Sequence, residues 1–188
     1  FNLIFATMKN IRSLTKEELL ILCEEMGEKN FRADQLWEWL WLKSARSFDQ
    51  MTNLSLEFRA KLATEFSFPV MTIANTQRSS DGTIKYAFRL DDGFLVEGVL
   101  IPTKERVTAC ISSQVGCSLS CTFCATGFLK RERNLRADEM YDQVAILREE
   151  SLKEYDINLS NIVLMGMGEP LLNYANVKGG IERITAPD

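Results

Sequence analysis

Between residues 13 and 68 the apolar positions recur with a helical period. Leu19, Leu20, Leu22, Cys23 and Met26 form a stripe that closes at Gly27, and Thr15 with Glu18 three residues on is a capping-box signature at its start. The spacing predicts a second helix from about Arg32 to Lys43, with Leu36, Trp37, Leu40 and Trp41 on one side and Trp39 on another. Tryptophans placed like this are read as core side chains. A third helix is expected from near Ser55 to Phe66, stopping before Pro69.

From Met71 the period shortens to that of strands. Thr72 to Gln77, Thr83 to Leu90 and Phe94 to Ile101 are short runs separated by Ser80-Asp81-Gly82 and Asp91-Asp92-Gly93, both hairpin-turn signals, which predicts a β-meander. Pro102 interrupts it, and Arg106 to Ser112 reads as a further strand. Beyond a loop rich in Gly, Ser and Cys come an amphipathic helix (Asp138 to Glu154), a compact buried strand (Asn161 to Met165), the loop GMGEP and a helix from Tyr174 to Ile184. Strand, helix, strand, helix is the βαβ pattern of a parallel sheet covered by helices. About two such units fit here, and a (β/α) barrel needs several more. The expected class is α/β: a helical N-terminal domain (residues 1–70), a β-meander linker (71–104) and the first βα units of an incomplete barrel (105–188). Gly179-Gly180 inside the last helix is a local weakness of roughly 1 kcal/mol per glycine relative to alanine.

Composition narrows the chemistry. The 188 residues are 46% hydrophobic and 26% charged, which calls for a packed core. No apolar run reaches the roughly 18 residues of a membrane span, and FNLIFATMKN is too short and weakly patterned for a signal peptide, so a cytoplasmic location and no membrane partner are expected. The start at Phe1 and the turn-like close at Thr185-Ala186-Pro187-Asp188 suggest a fragment. A net charge of -4 gives no global reason to expect nucleic acid. The best local candidate for phosphate contact is Lys130, Arg131, Arg133 and Arg136, although a run of this kind is more often a solvated loop. The absence of histidine removes the usual general base, the commonest zinc ligand and every His-containing triad. Five cysteines, an odd count, suit metal ligands or reactive thiols better than a disulfide framework.

Three of those cysteines, Cys117, Cys121 and Cys124, are spaced C-x3-C-x2-C between Gly116 and Gly127. Thiolates are the normal ligands of iron-sulfur clusters. Three of them can hold three irons of a 4Fe-4S cubane and leave the fourth iron open to the amino and carboxylate groups of S-adenosylmethionine (SAM), so that an electron from the cluster breaks the S–C5′ bond. A zinc site would need a fourth ligand from Cys110, Cys23 or an acid, at a spacing unlike the usual C-x2-C knuckle. The second signal is Met165-Gly166-Met167-Gly168-Glu169-Pro170 after a strand. Alone it is a tight turn. One βα unit after a cluster loop, it lies where parallel-sheet folds bind ligands, with glycines that admit close backbone approach and Glu169 as an acceptor for the SAM ammonium.

ACISSQVGCSLSCTFCATG together with MGMGEPLLNY resembles the RlmN and Cfr family of radical SAM methyltransferases, which methylate adenosine in RNA, and is closer to the RlmN branch. GEKNFRADQLWEWLW followed by FDQMTNLS resembles the helical N-terminal domain of that branch, so the likeness covers essentially the whole chain. The resemblance implies methylation of adenine carbon 2 in 23S rRNA and in some tRNAs, with a 4Fe-4S cluster and SAM as cofactors and an electron donor such as a flavodoxin. It implies cluster ligation by Cys117, Cys121 and Cys124, SAM contacts from Gly166, Met167, Gly168 and Glu169, and an adenine-end contact from Phe123. Cys110, by itself a small buried hydrophobe, matches the cysteine that resolves a covalent enzyme–RNA intermediate. Glu97 resembles an acid near the target base, although an exposed strand glutamate is the plainer reading. The family's methyl-carrying cysteine lies in its C-terminal part, and no cysteine follows Cys124 here, so no methyl transfer is expected of this stretch alone. The alternatives are another radical SAM enzyme, or a truncated, non-catalytic protein that binds a cluster or RNA.

Overall fold

The computed structural model describes residues 8–186; residues 1–7 and 187–188, which carry most of the leader and chain-end readings, lie outside them. Internal contacts divide the chain after Pro69 into two units. The first holds β1 (Lys9–Asn10), α1 (Lys16–Glu25), α2 (Phe31–Trp37), α3 (Leu56–Glu65) and β2 (Phe66–Ser67), with β1 and β2 paired in parallel. The capping box forms as its residues dictate: Thr15 Oγ1 accepts the Glu18 N–H at 3.1 Å, and the Glu18 carboxylate accepts the Thr15 N–H at 2.7 Å. The second helix departs from expectation. After Trp37 it widens into a π-type turn, Glu38–Leu42, closed by the Lys43 N–H on the Glu38 carbonyl at 2.9 Å. The extra residue in the turn lets the consecutive Leu40 and Trp41 both face the core, while Trp37 and Trp39 stay partly exposed. Ile11, Leu19, Leu36, Met51, Phe58 and Leu62 of the same unit are likewise buried. The buried Arg12 guanidinium lies 5.0 Å from the Phe68 ring centre and 5.8 Å from that of Trp41, and donates to the Ala45 carbonyl at 2.8 Å.

The second unit runs β3 (Thr72–Arg78), β4 (Ile84–Arg89), β5 (Leu95–Pro102), β6 (Val107–Cys110), β7 (Gln114–Val115), β8 (Arg133–Asn134), α4 (Ala137–Tyr155), β9 (Leu159–Val163) and α5 (Tyr174–Ile184). Strands β3, β4, β5, β6 and β9 form one sheet in that order, antiparallel as far as β6 and parallel between β6 and β9. The alternation of side chains decides what the sheet buries. Ile84, Tyr86 and Phe88 on β4, Val96 and Leu100 on β5, and Val107 and Ala109 on β6 share a core with Met140, Val144 and Leu147 of α4. The opposite face carries Lys85, Leu95, Glu97 and Ile101 and is largely open. β9 is not the buried strand its sequence suggested, because among the described residues it ends the sheet with β6 as its one ladder partner, leaving Ser160, Asn161 and Ile162 exposed. The glycine pair of α5 faces α4: a Cβ on Gly180 would lie 3.4 Å from the Met140 Cβ, so the locally weak residue sits where the helices approach.

Candidate functional site

Because β6 and β9 are parallel neighbours, their C-terminal ends open on the same side of the sheet, and the two loops of interest leave from there. After β6 the chain runs through Ile111–Val115 into the cysteine loop; after β9 it enters GMGEP. The Gly166 N–H donates to the Ile111 carbonyl at 3.0 Å, and the Met167 carbonyl accepts the N–H groups of Ser113 (2.9 Å) and Gln114 (3.2 Å). The Met167 N–H donates to Ser112 Oγ at 2.8 Å, and the Glu169 N–H to Gln114 Oε1 at 3.0 Å. Glycine is required at 168: φ is +95° and a Cβ there would lie 2.5 Å from that of Gln114. At Gly166 a Cβ would meet the Ile111 carbonyl oxygen and Ser112 Oγ at 2.7 Å.

These contacts sort the four residues of the loop. Gly166 and Gly168 provide close backbone approach. Met167 is buried in the core, with both its amide and its carbonyl engaged inside the protein, so it supports the loop from beneath. Glu169 is half-buried and accepts the Leu171 N–H at 3.0 Å, which caps the short 3-10 turn Pro170–Asn173.

The three cysteines of the second loop are partly exposed and unoxidised. The Leu119 N–H points at Cys117 Sγ at 3.4 Å. Backbone N–H groups of Thr126 and then Gly127 hold the Cys124 thiol below its ordinary pKa, favouring the thiolate. The loop folds back on itself, with Gly127 within 3.0 Å (counted from a built Cβ) of the Cys121 carbonyl oxygen. Among the described residues no three Cys, Asp or Glu side chains meet at a point that would hold one metal ion. Three thiols on one loop, two with backbone N–H groups aimed at sulfur, suit an iron-sulfur cluster.

Cys110 ends β6, opposite Val99 on β5 and beside Val163 on β9. Burial raises its pKa against the weaker pull of a Met165 backbone hydrogen bond, so it rests as a neutral thiol. Glu97 lies on the open face and pairs with Lys85 at 3.0 Å. Phe123, at the tip of the cysteine loop, is 91% exposed and touches no core.

The helical unit matches the family model described as "Ribosomal RNA large subunit methyltransferase N-terminal domain" over residues 9–67. Across 96% of its length the chain is 58% identical to the "Probable dual-specificity RNA methyltransferase RlmN" of Cytophaga hutchinsonii, covering 49% of that protein. It is 48% identical over 95% of its length to the "Dual-specificity RNA methyltransferase RlmN" of Oleidesulfovibrio alaskensis, covering 51% of it. Over nearly its whole length the chain is similar to the N-terminal portion of RlmN proteins. It spans about half the length of the curated relatives it matches. A crystal structure of a radical SAM methyltransferase from Sphaerobacter thermophilus superposes with a TM-score of 0.81 at 38% identity, over 96% of this chain and 52% of that one. The expected fold, a helical unit followed by a meander and the first βα units of a radical SAM enzyme, is met.

In this chain the basic run after the cysteine loop is neither a plain solvated loop nor a free basic patch, because two of its four cations are tied into ion pairs. Arg133 forms a two-pronged pair with the buried Glu139 (2.8 and 2.7 Å) and a third bond to Asp92 at 2.6 Å. Arg136 is bonded to Asp138 at 3.0 Å and lies 3.5 Å from Asp91. Only Lys130 and Arg131 of the four remain directed outward, Arg131 with one bond to Asn134 at 2.9 Å. Sequence reading also missed the buried polar side chains that frame the loops: Ser112, Gln114, Gln143 and Asn173. The weak signal was polar residues inside otherwise apolar segments, ISSQV and DQVAIL.

Proposed function

We propose that this chain is the N-terminal half of a radical SAM methyltransferase that acts on carbon 2 of an adenosine in 23S rRNA and tRNA. The observation that carries it is the emergence of a C-x3-C-x2-C loop and a GMGEP loop from the same end of adjacent parallel strands, stitched together through Ser112, Ser113 and Gln114. The dual RNA specificity in the names of its relatives supports the substrate class. Cys117, Cys121 and Cys124 would hold a 4Fe-4S cluster, which when bound supplies the electron that cleaves SAM. The backbone of Gly166 and Gly168 and the Glu169 carboxylate would receive the methionine end of SAM, with Phe123 folding over the adenine. The Cys110 thiol, kept protonated by burial, would lose its proton and attack only once the second half of the molecule presents the thioether, forming a disulfide with the methyl-carrying cysteine as that cysteine's S–C bond breaks and the bonding pair passes to the methylated base. Glu97 would hold the target base on the open face, exchanging Lys85 for the base as partner. The helical unit (residues 1–70) acts as an RNA-binding accessory domain, the meander (71–104) as the bridge to the catalytic unit (105–188). The site of action is the cytoplasm, and a flavodoxin-like protein is the reductant. No helix among the described residues is long and apolar enough to cross a membrane.

Anaerobic reconstitution of the chain with iron and sulfide, read by electron paramagnetic resonance with and without SAM, tests the reading. A reduced 4Fe-4S signal that shifts with SAM, and is lost in Cys121→Ala, is expected. Zinc uptake in place of a cluster, or a cluster indifferent to Cys121→Ala, would overturn it.

A further inference from the structure

Two side chains outside the assigned set tie the GMGEP loop to the strand that carries Glu97. The β5–β6 ladder pairs Val99 with Cys110 and then stops. Continued in register, it would place Ser112 opposite Glu97. There the side chain takes over from the backbone: Ser112 Oγ donates its one proton to the Glu97 carbonyl at 2.6 Å and accepts the Met167 N–H at 2.8 Å. The Ser112 backbone is held in turn by Gln143 of α4, whose Oε1 accepts the Ser112 N–H at 2.9 Å and whose Nε2 donates to the Ser112 carbonyl at 3.0 Å. Both residues are completely shielded from solvent, so each bond lost leaves a polar group with no water to replace it.

We propose that Ser112, clamped by Gln143, is a positioning residue: its hydroxyl locks the GMGEP loop to β5 and so fixes where the methionine end of SAM sits relative to the open face. The inference rests on the radical SAM reading above, but its first half concerns the loop alone. Without the hydroxyl, Met167 N–H and Glu97 C=O lose a shared partner, and the oxygen that a Cβ built on Gly166 would meet at 2.7 Å is gone. The loop then has room to shift, while the cysteine loop, bonded elsewhere, does not.

The test compares Ser112→Ala with Ser151→Ala, a second fully buried serine, which loses a 2.7 Å bond to the Ile157 carbonyl. Native-state amide exchange should quicken at residues 166–169 in Ser112→Ala by about tenfold, the size of one buried hydrogen bond, and not in Ser151→Ala. After reconstitution, Ser112→Ala should show the parent's cluster signal in the absence of SAM and need about tenfold more SAM to shift it, with Ser151→Ala matching the parent. Unchanged exchange at 166–169 overturns the lock. Quickened exchange with an unchanged SAM titration overturns the positioning role. If the parent cluster itself ignores SAM, it is the cofactor reading that fails, and the lock stands or falls on the exchange data. Should Ser112→Ala not fold, Gln143→Glu, which keeps the acceptor for the Ser112 N–H and loses the donor to its carbonyl, is read by the same two measurements.

Discussion

The GMGEP loop is fastened along its length, and the cysteine loop only at its two ends. Residues 166, 167 and 169 each bond to the segment 111–114, and Gly168 presses against Gln114. Between Cys117 and Leu129 the cysteine loop makes local turns, with its bonds running to its own residues. Its entry is fixed where Gly116, at φ +73°, passes against the Lys130 carbonyl, and its exit where Arg133 grips Asp92 and Glu139. A loop bonded at each step presents backbone groups in a set geometry, which suits a ligand that arrives and leaves. A loop anchored only at its base takes its shape from what its side chains bind, which suits a resident inorganic group.

The sharpest way to break that contrast is to add one methyl group to each loop. Gly168→Ala combines a left-handed backbone with overpacking against Gln114 and should cost about 3 kcal/mol. Gly127→Ala meets the Cys121 carbonyl at 3.0 Å without a positive φ and should cost about 1 kcal/mol. Equal shifts in urea midpoint would show the two loops to be equally constrained.

Next in size is the anchor of the cysteine loop. Arg133→Met strips the buried Glu139 of its two-pronged partner, but Arg136 remains 3.4 Å away and its N–H still donates at 2.8 Å. The loss should therefore fall at about 2 kcal/mol, below that of a fully orphaned buried charge. Thermal unfolding gives the number, and no change would place the anchor elsewhere.

The smallest effect concerns thiol reactivity. Cys124, with its pKa lowered, holds thiolate to lower pH than Cys110, whose pKa burial raises, or Cys23, which burial pushes up to about 11. Iodoacetamide mapped by mass spectrometry near neutral pH should mark Cys124 first and Cys110 and Cys23 last. Early labelling of Cys110 would contradict its place between β5 and β9.

Local signals were legible in the sequence because they are local. The Thr15 capping box, the hairpin turns, the helix from Tyr174 and the C-x3-C-x2-C spacing each depend on residues a few positions apart. What escaped depends on distant partners. Arg133 looked like a solvated loop cation and a candidate for phosphate contact because its partner Asp92 lies 41 residues earlier. Ser112 was legible only as the end of a strand because its partner Met167 is 55 residues later. Exposure of β9 could not be read from its composition, since an apolar strand looks the same with one neighbour or two. The π-type turn at Glu38–Leu42 follows from packing adjacent Leu40 and Trp41, which a regular helical period does not anticipate.

The change of strand direction at β6 has a consequence for the rim of the site. Since β5 runs against β6, the turn between β4 and β5 arrives at the same end as the two βα loops, and Asp91 and Asp92 in that turn are what Arg136 and Arg133 grip. An all-parallel sheet would have sent that connection across its helical face. The mouth thus has a third wall contributed by a hairpin. A hairpin tip can lengthen or shorten without moving its ladder, so the outline of the mouth is adjustable there while the cysteine and GMGEP loops stay in register.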